Sequence, residues 1–156
     1  MKKIIIYILT ALMMFTLLGC SKGEQWSITV DGYESLDKIT TDEEVVDYAG
    51  NKSTVTHENL PSAGMHYVIL NVTIKDVDSE EEFLPMNIQL TDGTNTYSRL
   101  EDNFLDIHGR PQLRTYPIQF GEASGYLAFE VPADVDVTTL SVLYKTDNIN
   151  IEKTLK

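Results

Sequence analysis

Apolar and polar residues alternate with a period of two along most of the chain after residue 25. This alternation is typical of β-strands that bury one face. The clearest run covers 66–76, and one of its faces carries Val68, Leu70, Val72 and Ile74. The opposite face carries Tyr67, Ile69, Asn71, Thr73 and Lys75. We therefore predict a long strand at 66–76 with its main apolar face in the core.

The same pattern predicts further strands at 26–30, 53–57, 84–90, 95–100, 116–120, 127–131, 140–145 and 149–155. In the strand over 84–90, one face would carry Leu84, Met86, Ile88 and Leu90. Asp92 and Gly93 follow it and form a strong hairpin signal. Seven to nine strands with turns between them, and no long helices alternating with them, predict an all-β, antiparallel β-sandwich.

Residues 33–60 leave two interpretations open. The run 40–44 places a threonine three residues before a glutamate, which suits a capping box and a short helix through Asp47. Alternatively, the run is a turn before a strand at Val45–Tyr48. Residues 51–53 are predicted to form another turn, followed by a short edge strand at 53–57.

The first 20 residues have the pattern of a secretion signal. Lys2 and Lys3 precede an uncharged apolar run from Ile4 to Leu18. That run is shorter than the roughly 20 residues of a spanning helix. Residues 17–20, Leu-Leu-Gly-Cys, resemble the lipobox of bacterial lipoproteins, which implies a diacylglyceryl group on the Cys20 thiol and cleavage before it. The alternative is an uncleaved membrane anchor with an incidental cysteine.

These signals divide the chain into a signal peptide at 1–19, a lipidated tether at 20–24 and a β domain at 25–156. Two acyl chains are enough for stable anchoring, so we expect the domain to lie on the extracytoplasmic face of the cell membrane.

Cys20 is the only cysteine, which excludes a disulfide within the chain. Without the two leader lysines, ten basic residues face 24 acidic ones, a net charge of −14. Such a charge repels polyanions, so no nucleic-acid partner is expected.

The strand and turn residues also resemble a known family. The relevant segments are 64–74 with its acidic turn, 90–93 with Tyr97, 125–132, and 140–144. Together they resemble an uncharacterised family of bacterial cell-surface lipoproteins with an immunoglobulin-like β-sandwich domain. The resemblance covers roughly residues 25–154 and implies a fold and a location. The family supplies no catalytic residues.

The acidic loop 76–82 is the clearest candidate for a metal-binding site. Asp76, Asp78 and Glu80 are spaced as i, i+2 and i+4, like the oxygen ligands of calcium loops. However, Glu81 stands where an EF-hand loop needs glycine. The alternative is a solvated loop whose charges protect a sheet edge. Calcium is thus the one candidate metal, with no other cofactor expected.

Enzymatic signatures are lacking in the sequence. His57, His66 and His108 are far apart and show no metal-ligand spacing, and there is no Gly-x-Ser-x-Gly elbow. Tyr67 and Tyr126 fall opposite their strands' main apolar faces and could form an exposed aromatic patch. We predict a non-catalytic binding or protein-interaction module with a protein or cell-wall partner. The alternatives are a calcium-stabilised surface domain and, less favoured, an envelope hydrolase.

Overall fold

The computed structural model describes residues 25–77, 81–101 and 112–155, which form nine strands. These are β1 (Trp26–Leu36), β2 (Ile39–Val46), β3 (Lys52–Asn59), β4 (Met65–Asp76), β5 (Ile88–Thr91), β6 (Thr96–Ser98), β7 (Glu122–Pro132), β8 (Ser141–Lys145) and β9 (Asn150–Thr154). Two short 3₁₀ turns lie at Pro85–Asn87 and Val137–Thr139. The predicted all-β class is confirmed.

The strands make two packed sheets and one separate hairpin. One sheet has the order β1-β4-β7, and the other has the order β6-β5-β8-β9. Every strand pair is antiparallel. Buried residues of both sheets form one apolar cluster between them, as a β-sandwich requires. The strands β2 and β3 pair with each other in a third, two-stranded sheet.

Three aromatic rings form the centre of the core at one end of the sandwich. The rings of Phe83 and Tyr144 stack with centroids 4.0 Å apart, and Trp26 packs against Phe83 at 5.4 Å. The backbone N–H of Leu84 donates to the Tyr144 hydroxyl over 3.1 Å. Burial raises the pKa of Tyr144, so this hydroxyl stays neutral and can both accept and donate.

Strand β4 is buried on both faces, which the alternation did not predict. Its main apolar face lies in the sandwich core as expected. On the outer face, Tyr67 and Ile69 pack with Ile39 and Ala128 in a second cluster. Tyr67 is only 1% exposed, so the predicted exposed aromatic patch of Tyr67 and Tyr126 is wrong. The reason is that the start of β2 covers this part of the sheet.

Two predicted strands are shorter or absent. The strand at 84–90 begins only at Ile88, because Pro85 opens a 3₁₀ turn that leaves Met86 60% exposed. In 116–120, only Ile118 makes a β-bridge, to Phe83, while Tyr116 and Phe120 are exposed. Both runs contain a proline, which lacks the backbone donor that a continuous ladder needs.

Candidate functional site

The hairpin of β2 and β3 projects from the sandwich, and we call residues 38–59 the arm. All eight residues of β3 are exposed, and the last five of β2 are exposed as well. Within the arm, which is described throughout, Ile39 is the one buried side chain. A two-stranded hairpin is marginally stable alone, so its base and its local contacts must hold it. Neither interpretation of residues 40–48 anticipated a strand that already begins at Ile39.

The base of the arm is fixed to the sandwich by one apolar side chain. Ile39 is 1% exposed and packs on Tyr67 and Ile69 of β4 and on Ala128 of β7. Beside it, the Lys38 ammonium lies 2.5 Å from the Glu58 carboxylate. Burying an isoleucine contributes about 1.5–3 kcal/mol, whereas an exposed ion pair contributes about 0–1 kcal/mol. Ile39 is therefore the main attachment.

The turn of the arm is held by one carboxylate. Asp47 accepts hydrogen bonds of 2.8 Å from the backbone N–H groups of Ala49 and Asn51 and from the Asn51 side-chain amide. These bonds, led by the one from the Asn51 side chain, hold the pKa of Asp47 below its usual value. Gly50 adopts a φ of 85°, which only glycine does without strain. The tip conformation is thus specified locally.

Polar pairs link the two strands of the arm. The Lys52 ammonium lies 2.7 Å from Glu44, the Thr56 hydroxyl donates to Asp42 over 2.7 Å, and His57 lies 3.0 Å from Glu43. Each pair is exposed, so each contributes only a fraction of a kcal/mol. The acids of the arm are concentrated on β2, at 42–44. Strand β3 has no charged residue between Lys52 and His57.

Apolar side chains are exposed along the outer half of the arm. Val46 is 55% exposed, Val55 is 41% exposed, Val45 is 38% exposed, and Tyr48 at the tip is fully exposed. None of the four belongs to either apolar cluster of the described residues. Val45 and Val55 are neighbours on one face of the hairpin, whereas Val46 lies on the other face and Tyr48 is at the tip. Single exposed valines are ordinary, but apolar surface on both faces and at the tip of one projecting hairpin suits contact with a partner.

The structure describes the predicted calcium loop only in part. Asp76 ends β4, where its backbone N–H donates to the Gly121 carbonyl over 2.8 Å. Asp78 and Glu80 lie outside the described residues, as does Cys20. No group of three or more metal-ligating side chains occurs in the described ranges. Calcium binding by this loop and lipid attachment at Cys20 both stay predictions.

The histidines that the structure describes lie on different elements. His57 is on the arm, while His66 is buried at the start of β4. His108 lies outside the described residues.

A shallow groove of about 420 Å³ is lined by the exposed rings of Tyr116 and Phe120 together with Leu113 and Ile118. The described lining of this groove is mostly apolar, with Arg114 and Gln119 as polar members.

The class of protein that the described residues define is an antiparallel β-sandwich with a projecting hairpin arm. No protein-family model and no curated protein matches the chain. Among solved structures, the chain is similar to an uncharacterised β-sandwich protein from Clostridium difficile 630. That similarity has 15% sequence identity and a TM-score of 0.44, and it covers 86% of this chain and 87% of the other. Among the described residues, no helix is long and apolar enough to cross a membrane.

Proposed function

We propose that the protein is a lipid-anchored, extracytoplasmic interaction module without catalytic activity, and that it binds a protein partner through the arm. The observation that carries the proposal is the exposure of Val45, Val46, Tyr48 and Val55 on a hairpin whose one buried side chain is Ile39. The leader and the lipobox-like residues 17–20 support the location.

The direction of β1 supports an arrangement in which the arm starts from the end of the sandwich remote from the anchor. The tether at 20–24 leads to Trp26, the first residue of β1, whereas the arm follows Leu36, its last residue. The ten intervals between eleven residues of extended strand span about 32–34 Å. A lipid on Cys20 would therefore hold one end of the sandwich near the membrane and leave the arm at the opposite end.

The exposed arm side chains have no evident structural role. We expect Val46→Ala and Tyr48→Ala to change the free energy of unfolding by less than about 0.5 kcal/mol, as surface substitutions usually do. Ile39→Ala should cost about 2–4 kcal/mol, because it opens the cluster over Tyr67. Side chains that are dispensable for folding yet apolar and exposed are best explained by contact with a partner.

The proposal is tested by photo-crosslinking on intact cells that express the full chain. A photoreactive phenylalanine analogue replaces Tyr48 in one variant and Met86 in the matched control, whose side chain is 60% exposed on the sandwich body. We expect protein adducts of defined mass from position 48 and few from position 86. The adducts should disappear when Val45 and Val55 are also changed to serine. Equal labelling from both positions, or none from position 48, would overturn the proposal.

A further inference from the structure

We propose that the partner of the arm is a second copy of this chain, joined through the free edge of β3. The two β3 strands would pair antiparallel about a twofold axis at Val55 and make a continuous sheet of order β2-β3-β3-β2. This inference rests on the proposed function, because it names the partner of the same arm. It follows from the backbone direction, the residue register and the charges of β3.

The backbone of β3 has hydrogen-bonding groups that point away from β2. Across the turn, the Asp47 N–H donates to the Asn51 carbonyl over 3.0 Å, so odd-numbered residues of the arm face the β2–β3 ladder. The outward groups of β3 therefore belong to Lys52, Thr54, Thr56 and Glu58. Among the described residues, no strand pairs with this edge. Such an edge is a template for another strand.

The sequence of β3 is complementary to itself in one antiparallel register. With Val55 opposite Val55 of the second copy, Thr54 faces Thr56 and Lys52 faces Glu58. All the outward backbone groups then pair with outward groups, which gives a regular antiparallel ladder. The two Val55 side chains meet at a non-hydrogen-bonded position, where Cα atoms are about 4.5 Å apart. This register brings together two apolar side chains and creates two ion pairs.

Other registers are less favourable. After a shift by one residue, the outward N–H and C=O groups of one β3 strand lie opposite residues of the other β3 strand whose groups point towards their own β2. The shift also moves every side chain of the second strand to the opposite face of the sheet. A shift by two residues restores the ladder but separates Lys52 from Glu58. In the proposed register, Lys52 keeps Glu44 on one side and gains Glu58 of the second copy on the other. The charges then alternate in sign across the joined strands, which favours association.

The other edge of the arm opposes pairing. The outward backbone groups of β2 belong to Thr40, Asp42, Glu44 and Val46, by the same alternation. Pairing of β2 with β2 of a second copy about Glu43 would set three acids against three acids. Like charges directly opposite one another destabilise a sheet, and charges on an edge are a common protection against pairing. The arm thus has one edge that accepts a copy and one edge that repels it.

A membrane anchor would make this small interface effective. One eight-residue strand is well below the area of standard stable interfaces, so free copies should associate weakly. Copies held by lipid in one membrane plane meet at a raised effective concentration, and antiparallel pairing there requires the two arms to run along the membrane. Because the interface consists of the exposed residues of β3, it needs no rearrangement of the sandwich.

The first test is disulfide trapping of the full chain in its own membrane. Val55→Cys places two thiols at the twofold axis, within the Cα separation that disulfides need. Under mild oxidation we expect a covalent species of twice the chain mass, removed by reductant. The matched controls are the parent chain, which has only Cys20, and Val46→Cys, which places a comparably exposed thiol on the β2 edge. Equal dimer from Val46→Cys, or none from Val55→Cys, would overturn the inference.

The second test exchanges the charges in the Val55→Cys background. Lys52→Glu or Glu58→Lys alone should lower the trapped dimer about fivefold, because each sets like charges against each other twice. The double variant restores both intermolecular pairs with reversed polarity, so the dimer should recover. It does not restore the pairs within the arm to Glu44 and Lys38, so a merely internal role predicts no recovery.

The two proposals can fail separately. Adducts from position 48 to a different protein, together with no dimer from Val55→Cys, would retain the interaction module and reject self-pairing. A trapped dimer that recovers in the charge-swapped variant supports both. Absence of adducts from position 48 and of trapped dimer would reject both.

Discussion

The indole N–H of Trp26 donates a hydrogen bond of 2.8 Å to the backbone carbonyl of Glu81. Trp26 opens β1, and Glu81 lies beyond the end of β4. The Asn148 side-chain amide donates to the Glu81 carboxylate over 2.5 Å, which adds a contact from the β8–β9 turn. Three segments distant in sequence are therefore joined at this end of the sandwich.

Trp26→Phe should destabilise the protein by about 2–4 kcal/mol. The substitution removes the indole donor from the Glu81 carbonyl and leaves a gap beside Phe83. Thermal unfolding followed by far-ultraviolet circular dichroism measures the loss. Val77→Ala, at an exposed position of the same end, should change the midpoint little. Equal effects of the two substitutions would show that the contact to Glu81 is unimportant.

Gly125→Ala should destabilise the fold by about 1–3 kcal/mol through overpacking. A Cβ atom at Gly125 would lie 2.7 Å from the backbone carbonyl carbon of Gln112 and closer still to the Leu113 nitrogen. Leu113 donates to the Tyr126 carbonyl over 3.1 Å, so the clash would push this segment off the β7 edge. The measurement is urea unfolding followed by Trp26 fluorescence.

Gly32→Ala is the matched control for that experiment. Gly32 lies beside the bulge of β1, and nothing is within 4 Å of the position of its added Cβ. We expect a change of less than about 1 kcal/mol, of either sign. A larger loss at position 32 than at position 125 would contradict the packing argument.

The β5–β6 hairpin should lose stability in acid through Asp92. Its carboxylate accepts bonds from the backbone and side chain of Asn95, from the Tyr97 hydroxyl and from the Thr94 N–H. These bonds, led by the Asn95 backbone, hold the pKa of Asp92 far below its usual value. A carboxyl group whose pKa is lower in the folded state than in the unfolded state stabilises the fold at pH values above its unfolded-state pKa of about 3.9. This stabilisation is lost as the pH falls towards the folded-state pKa.

We therefore expect Asp92→Ala to unfold more easily at pH 6 and to show a smaller loss of stability between pH 6 and pH 3 than the parent chain. Urea midpoints across this range measure the difference. Asp147→Ala, in the exposed β8–β9 turn, controls for the loss of one negative charge. If both variants keep the parent's full pH dependence, Asp92 is not the group responsible.

Cys20→Ser should abolish lipid labelling of the protein. The serine hydroxyl does not replace the thiol in diacylglyceryl transfer, so the two acyl chains are not attached. Metabolic labelling with palmitate and fractionation of the membranes provide the readout. Ser21→Ala is the neighbouring control and should stay labelled. A Cys20→Ser chain that still incorporates palmitate would contradict lipid attachment at Cys20.

The sandwich core was predictable because the alternation of apolar and polar residues indicates which face of each strand is buried. Val68 and Leu70 lie on the predicted apolar face of β4, and both are fully buried. The burial of Tyr67 was not predictable, because its cover is supplied by Ile39 from a hairpin that no local pattern links to β4. Likewise, Pro85 replaces part of a predicted strand with a 3₁₀ turn although its neighbours keep the strand periodicity.

The arm was the hardest element to predict, for a physical reason. Its side chains beyond Ile39 bury little apolar surface, so the hydrophobic alternation that indicates a half-buried strand is absent there. The run around Asp42 has the spacing of a helix cap, yet cross-strand bonds such as Thr56 to Asp42 stabilise a ladder instead. Neither the arm's projection nor its self-complementary register can be recognised before β2 and β3 are known to pair.

The acids of β2 also set a limit on the number of copies that can assemble. Once two β3 edges are joined, Asp42 and Glu44 of each copy line both outer borders of the four-stranded sheet. A third arm would have to approach one of these negative borders, where its own β2 would set acids against acids. Growth should therefore stop at a closed pair, so that an open strand edge does not lead to fibres.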